Sequence, residues 1–244
     1  MELAGLPYVG CGVLGSAVGM DKALTKRLAL QAGLPILPYA VLEPGGSLAA
    51  ARRLRLPVFV KPSRMGSSVG VTKVKRASEL AAAVRAAFRF DTVVLVEKGV
   101  PAREIECAVL GSNARPRAAR RVGEIRPRAE FYSYEAKYLD PQGAELLIPA
   151  ELSARQARQA RSLACRAFTL LGCDGLARVD FLLDRSTGRL YFNEVNTLPG
   201  FTSISMYPKM WEASGLPFPK LVDRLIALAI ERHRRRARLR ITRD

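Results

Sequence analysis

Residues 176–196, LARVDFLLDRSTGRLYFNEVN, constrain the fold more than any other stretch of the chain. Two alternating runs, LARVDFLLD and RLYFNEVN, flank the polar break RSTG. Period-two alternation gives a strand two unlike faces, and a short Gly-containing break between two such runs predicts an antiparallel hairpin. Alternation places Arg178, Asp180 and Leu182 on one face, and Phe192, Glu194 and Asn196 on one face of the returning strand. With the turn centred on Thr187, Asp180 lies opposite Glu194. Two carboxylates and an amide then converge on neighbouring strands. Like charges directly opposite are unfavourable unless something neutralises them. Oxygen-only ligands of this kind suit Mg²⁺, which completes its shell with water and substrate phosphates. A solvent-facing hairpin whose charges are stabilised by Arg178 is the competing reading, and the spacing does not choose between them.

The rest of the chain supplies further strands and several helices. VFVKP and VGVTKV read as strands around a loop, and TVVLVEK and REIECAVLG as two more. MDKALTKRLALQAGLP reads as a helix: Leu24, Leu28 and Ala32 recur at helical spacing, Gly33 can cap it and Pro35 stops it. ASELAAAVRAAF reads as a second helix, with Ser78 as N-cap and a stripe of Leu80, Ala83, Val84, Ala87 and Phe88. SARQARQARSLACRAFTLLG is a third, capped by Ser153, and a last begins near Pro219 and runs along LVDRLIALAI. Residues 112–150 are polar, weakly periodic and read as a long loop, which in a compact chain is functional or disordered. Strands and helices mix without a βαβ rhythm, and the hairpins imply antiparallel sheet. The expected fold is α+β with two lobes, residues 20–96 and 97–232, preceded by 1–19 and followed by a basic tail, 233–244.

Composition narrows the function classes. With 244 residues, 49% apolar and 25% charged, the chain can build real cores. Cys11, Cys107, Cys165 and Cys173 are widely separated and the sole histidine is His233, so a zinc site is not expected and reduced, buried thiols in a cytoplasmic protein are. No apolar run reaches the length of a membrane span, and MELAGLPYVGCG lacks the pattern of a signal peptide. The net charge of +17 raises nucleic acid as a partner. Yet ARPRAARRVGEIRPR and ERHRRRARLRITRD interleave no aromatics with the charges, so no specific nucleic-acid partner is expected.

KPSRMGSSVG, Lys61 to Gly70, follows an apolar strand with a lysine, small residues and two hydroxyls. Such a loop can wrap phosphate oxygens closely. It matches neither GxxxxGK[ST] nor GxGxxG, and alone a hairpin turn explains it. Beside a magnesium-like hairpin, the phosphate reading becomes the better one.

Together these motifs carry a resemblance. MDK, VKPSRMGSSVGVTKV, VLVEKGV, FYSYEAKYL, LGCDGLARVDFLL and NEVNTLPGFTSISMYPKMWEASG occur in this order over nearly the whole chain. The chain resembles the D-alanine–D-alanine ligase family of the ATP-grasp superfamily. The resemblance implies two ATP-grasp subdomains with nucleotide between them, and an ATP-dependent, ADP-forming ligase making D-alanyl-D-alanine for peptidoglycan through an acylphosphate. It implies that Lys22 and Lys61 contact ATP phosphates under the Gly66–Gly70 loop with Ser67 and Ser68. Glu97, with the backbone at Lys98 and Val100, would hold adenine, and Glu104 the ribose. Asp180, Glu194 and Asn196 would bind two Mg²⁺ or Mn²⁺ ions. Arg178 and the amide of Gly200 would stabilise the oxyanion, and Ser205 and Met206 would seat the second D-alanine. Tyr132, Lys137 and Tyr138 would close over the site, with Tyr138 selecting D-alanine over D-lactate. A homodimer would fit the family.

The chain departs from the family pattern in two respects. Gly99 stands where a bulky residue is common in the family. The sequence begins almost at the family's second domain, so the acid that would orient the first D-alanine through Ser67 and Tyr138 is not within it, and weak ligation by the chain alone is the expectation. Two function classes stay open: a ligase, and an ATP-binding remnant or partner-dependent subunit.

Overall fold

The computed structural model describes residues 1–127, 143–202 and 204–240; Tyr132, Lys137 and Tyr138 lie outside them. The first sheet is antiparallel, ordered β1-β4-β2-β3, from β1 (Tyr39–Leu42), β2 (Val58–Pro62), β3 (Thr72–Val74) and β4 (Val94–Lys98). Alternation divides its faces. Val58, Val60, Val94 and Val96 pack beneath α3 (Ala49–Arg52) and α4 (Leu80–Ala87). Phe59, Lys61 and Glu97 fall on the opposite face. The apolar stripe of α4 is buried as its spacing predicts. Ser78 is not its N-cap, however: residues Ala77–Glu79 form a 3₁₀ turn, and Glu79 accepts from the Lys75 and Arg76 amides instead. A glutamate side chain reaches back across that tighter turn, where the serine at its centre cannot.

The second sheet is larger. It comprises β5 (Ala102–Ser112), β6 (Arg115–Ala118), β7 (Gly123–Pro127), β8 (Ala144–Leu147), β9 (Gly175–Asp184) and β10 (Leu190–Asn196), ordered β10-β9-β5-β7-β8 with β6 also on β5. Three of these strands lie in the stretch expected to be a long loop. Their signal is hidden because β6 alternates exposed Arg115 and Arg117 with Pro116 and Ala118, a pattern without strong hydrophobes. One face of the sheet packs on α5 (Ala154–Leu170) and on residues of α1 (Val13–Met20) and α2 (Lys22–Gln31). The other packs on α6 (Met206–Ala213) and α7 (Phe218–Ala237), so the last helix runs well into the expected basic tail. Ser153 caps α5 in a capping box with Gln156, as its position predicts.

Two details depart from simple periodicity. In α2 the buried positions are Ala23, Thr25, Lys26 and Ala29, whereas Leu24 is 39% exposed. In β10 Glu194 does pair with Asp180, but the register shifts between Phe192 and Glu194. That bulge moves Phe192 to the core face, opposite Phe181, and leaves Glu194 and Asn196 on the other. Phe192 therefore does not share a face with Glu194. The four cysteines are free thiols, and a hydrogen bond with Cys11 together with burial pushes the Cys173 thiol up, as suits a core residue. No described helix is long and apolar enough to cross a membrane.

Candidate active site

The site begins at the N-terminus of α2. Asp21 caps it, accepting from Leu24 N at 3.0 Å and from Ser63 Oγ at 2.7 Å. Ser63 Oγ accepts from Ala23 N at 2.9 Å, and Ser63 O from Lys22 N at 3.0 Å. The end of β2 and the start of α2 are thereby pinned together. Lys22 then reaches Met65 O at 2.7 Å and Glu194 Oε2 at 3.3 Å. One ammonium thus ties the loop after β2 to the carboxylate on β10.

That loop holds an unusual turn. Val69 N donates to Gly66 O at 3.0 Å, while Ser67 and Ser68 have φ of 54° and 61°. Two consecutive positive φ values with this bond make a type I′ turn, which ordinarily uses Asn or Gly. Each left-handed L-residue costs roughly 1–2 kcal/mol, so two serines here are a strained choice. Arg64 secures the base of the loop: its amide donates to Asp91 at 2.7 Å and its guanidinium forks onto the same carboxylate.

Below the loop lies a buried ion cluster. Lys61 Nζ donates to Glu97 Oε2 at 2.8 Å, and Lys26 Nζ donates to Glu97 Oε1. Burial alone would raise the Glu97 carboxyl, but the two ammoniums outweigh it and hold the pKa below the ordinary value. Burial likewise opposes the Lys61 charge, and Glu97 overcomes it, leaving Lys61 above its ordinary value. Glu97 is 1% exposed with both oxygens engaged, so its carboxylate is first of all a clamp on two lysines. Lys98 and Val100 are half-buried just beyond it, and Glu104 is half-buried on β5 opposite Leu182. A Cβ at Gly99 would stand 3.0 Å from Pro57 O and 3.1 Å from the Phe59 ring, so the place of a bulkier residue is filled here by β2.

The second sheet presents a row of carboxylates. Glu106 pairs with Asp180, and Asp180 with Glu194, so all three point to one face. Arg178, opposite Asn196, forks onto Asp180 with two bonds of 2.8 Å and reaches Glu106 Oε1 at 3.1 Å. Burial works against the Arg178 charge, and Asp180 and Glu106 override it, so the guanidinium stays protonated. Asn196 Oδ1 accepts from Leu198 N at 3.1 Å and turns the chain toward Gly200. A Cβ at Gly200 would stand 2.8 Å from Ser205 Oγ, so a larger residue there would displace the serine hydroxyl. Ser205 occupies the N-cap position of α6, but its hydroxyl turns back to accept from Thr202 N at 3.0 Å. The Met206 side chain is buried among core residues of the second sheet. Among the described residues no group of three or more His, Cys, Asp or Glu side chains is placed to hold a metal ion.

The structure therefore draws Lys22, Lys61, Glu97 and Glu194 into one connected set, with Arg178, Asp180 and Asn196 on the adjoining sheet face. Sequence reasoning missed Lys26 and Glu106. Both had a signal: Lys26 follows Lys22 by one helical turn, and Glu106 follows Glu104 by one strand period.

Comparison with known proteins bears on this geometry. The family model described as D-ala D-ala ligase C-terminus matches residues 28–227. D-alanine–D-alanine ligase A of Bradyrhizobium diazoefficiens is 57% identical over 98% of this chain and 66% of its own length. The ligase of Caldicellulosiruptor bescii is 48% identical over 100% of this chain and 68% of its own. Among solved structures, the D-alanine–D-alanine ligase from Coxiella burnetii superposes with TM-score 0.85 at 42% identity, over 97% of this chain and 64% of that one. VanG D-Ala:D-Ser ligase from Enterococcus faecalis gives 0.83 at 39% identity, over 93% of this chain and 66% of that one. The chain thus spans about two thirds of the length of the relatives it matches. With both sheets and the connected set of lysines and carboxylates in place, this chain belongs to the D-alanine–D-alanine ligase family, with the α+β ATP-grasp fold.

Proposed function

We propose that the chain takes part in the ATP-dependent joining of two D-alanines into D-alanyl-D-alanine, a peptidoglycan precursor, with nucleotide held between the two sheets. The observation that carries this reading is the Lys22 ammonium, which contacts both the glycine-serine loop and Glu194. A triphosphate held at that point meets Lys22 and Lys61 as countercharges, with the Ser67–Ser68 turn above. Phosphoryl transfer to the carboxylate of the first D-alanine then needs charge neutralisation and alignment rather than a protein nucleophile. The amine of the second D-alanine attacks the acylphosphate carbonyl. The resulting oxyanion is met by the Arg178 guanidinium and the Gly200 amide, and phosphate departs as the peptide bond forms. Ser205 and the Met206 backbone border the place of the second carboxylate. We assign Lys98, Val100 and Glu104 to the nucleoside end, and Glu97, whose two oxygens hold Lys26 and Lys61, to the phosphate end.

The donor set fits a hard divalent cation. Asp180 and Glu194 face each other across paired strands with Asn196 beside them, an all-oxygen set of two carboxylates and an amide. Asp180, Glu194 and Asn196 would hold Mg²⁺, which would supply countercharge to the phosphates. Incubation of the protein with MgATP and D-alanine tests the reading. The expected result is slow formation of ADP, phosphate and dipeptide in equal amounts, detected by mass spectrometry. ADP formation indifferent to D-alanine would overturn it.

A further inference from the structure

Lys26 is 1% exposed, and a lysine so buried is rare unless paired. Its partners come from different sheets: Glu97 Oε1 on β4 and, at 3.1 Å, Phe192 O on β10, beside the bulge that presents Glu194. Lys22, one turn earlier on the same helix, holds the loop and Glu194 itself. Glu97 shares its second oxygen with Lys61. The buried lysine is therefore linked through one carboxylate to the ammonium that faces the phosphates. It is linked through one carbonyl to the strand bearing the cation-binding carboxylate. A buried charge pair seldom adds stability over a well-packed apolar side chain, so simple sheet-to-sheet cohesion does not account for a lysine here.

We propose that Lys26 is a positioning residue for the phosphate end of the nucleotide site: it fixes Glu97, and through Glu97 the Lys61 ammonium, in register with β10. The proposal rests on the nucleotide reading given above. Calorimetry with the β,γ-imido analogue of ATP and Mg²⁺, with adenosine as the phosphate-free control, tests it on the full chain. Wild-type protein should bind the analogue saturably; failure to do so would overturn the nucleotide reading and this proposal with it. Lys26→Met should weaken the analogue about tenfold or more while changing adenosine affinity about twofold or less, since one charge-assisted hydrogen bond to Glu97 is lost at the phosphate side alone. Lys26→Met/Glu97→Gln takes both charges of the Lys26–Glu97 pair out of the core, leaving Lys61 as the remaining ammonium, and carries the test should the single variant not fold. Its melting temperature should recover toward wild type while analogue affinity stays low. Wild-type analogue affinity in Lys26→Met, equal losses for analogue and adenosine, or joint recovery of melting temperature and analogue affinity in the double variant would each reduce Lys26 to a cohesion role and overturn the proposal.

Discussion

Single residues set the local balance of charge. Asp91 illustrates it: burial would raise its pKa, but the Arg64 guanidinium and the amides of Arg64 and Val93 hold it below the ordinary 3.8. A carboxyl depressed in the folded state stabilises fully above its unfolded value, and that stability is lost as pH falls through the folded one. Asp91→Asn should therefore cost about 1–3 kcal/mol at pH 7, and the gap from wild type should shrink toward pH 3 in urea titrations. Glu106 is a second case. It holds one side of Arg178 while Asp180 holds the other. Glu106→Gln should lower turnover roughly tenfold with little change in KM for ATP, because under the proposed mechanism it loosens a group used as the oxyanion forms rather than when nucleotide binds. Steady-state kinetics with ATP varied at saturating D-alanine check this.

At the scale of elements, the loop after β2 and the bulge in β10 matter most. Both break local rules: serines in left-handed backbone, and an extra residue in a strand. Strain of this kind concentrates where a site needs a fixed backbone. Ser68→Val should destabilise the protein by more than about 1 kcal/mol, since a β-branched side chain tolerates positive φ poorly. Ser68→Gly should stay within about 1 kcal/mol of wild type, relief of strain offsetting the lost chain entropy of glycine. Chemical denaturation of the pair checks the turn assignment. An equal response of both variants would contradict it.

At the scale of the molecule, helix α7 ties the chain ends together. Arg232, buried on α7, donates to Gly10 O and, at 2.9 Å, to Tyr8 O; it stacks 4.4 Å from the Tyr8 ring and lies 4.0 Å from Asp174. Arg232→Ala should cost about 3 kcal/mol, because two backbone carbonyls and a carboxylate lose their cation together. Thermal melting and proteolysis near Tyr8 should report it. The basic tail read from composition is thus partly an ordered helix whose arginines have defined partners, including Arg236 with Glu2 and Arg235 with Asp174.

Much of this was legible in the residues themselves. Alternation disclosed the β9–β10 hairpin, because a strand's period is local, but the register running from the turn through Phe192–Phe181 would set Asn193 against Asp180, and only the bulge brings Glu194 there. Ser153 as a cap and the stripe of α4 were legible for the same reason: helix ends and faces depend on neighbours one turn away. The bulge was not, since alternation carries no mark of an inserted residue, and Phe192 went to the core because Phe181 and the sheet's apolar face required it. Three strands between residues 115 and 147 were hidden in polar, weakly periodic sequence, because their pairing with β5 and with one another, not their own hydrophobicity, makes them strands. The largest contribution of tertiary structure is at Lys26. On sequence it is one more charge on an amphipathic helix. Only the approach of β4 and β10 from two different sheets supplies the carboxylate and carbonyl that allow an ammonium to be buried, and burial is what turns it from a solvated charge into part of the site.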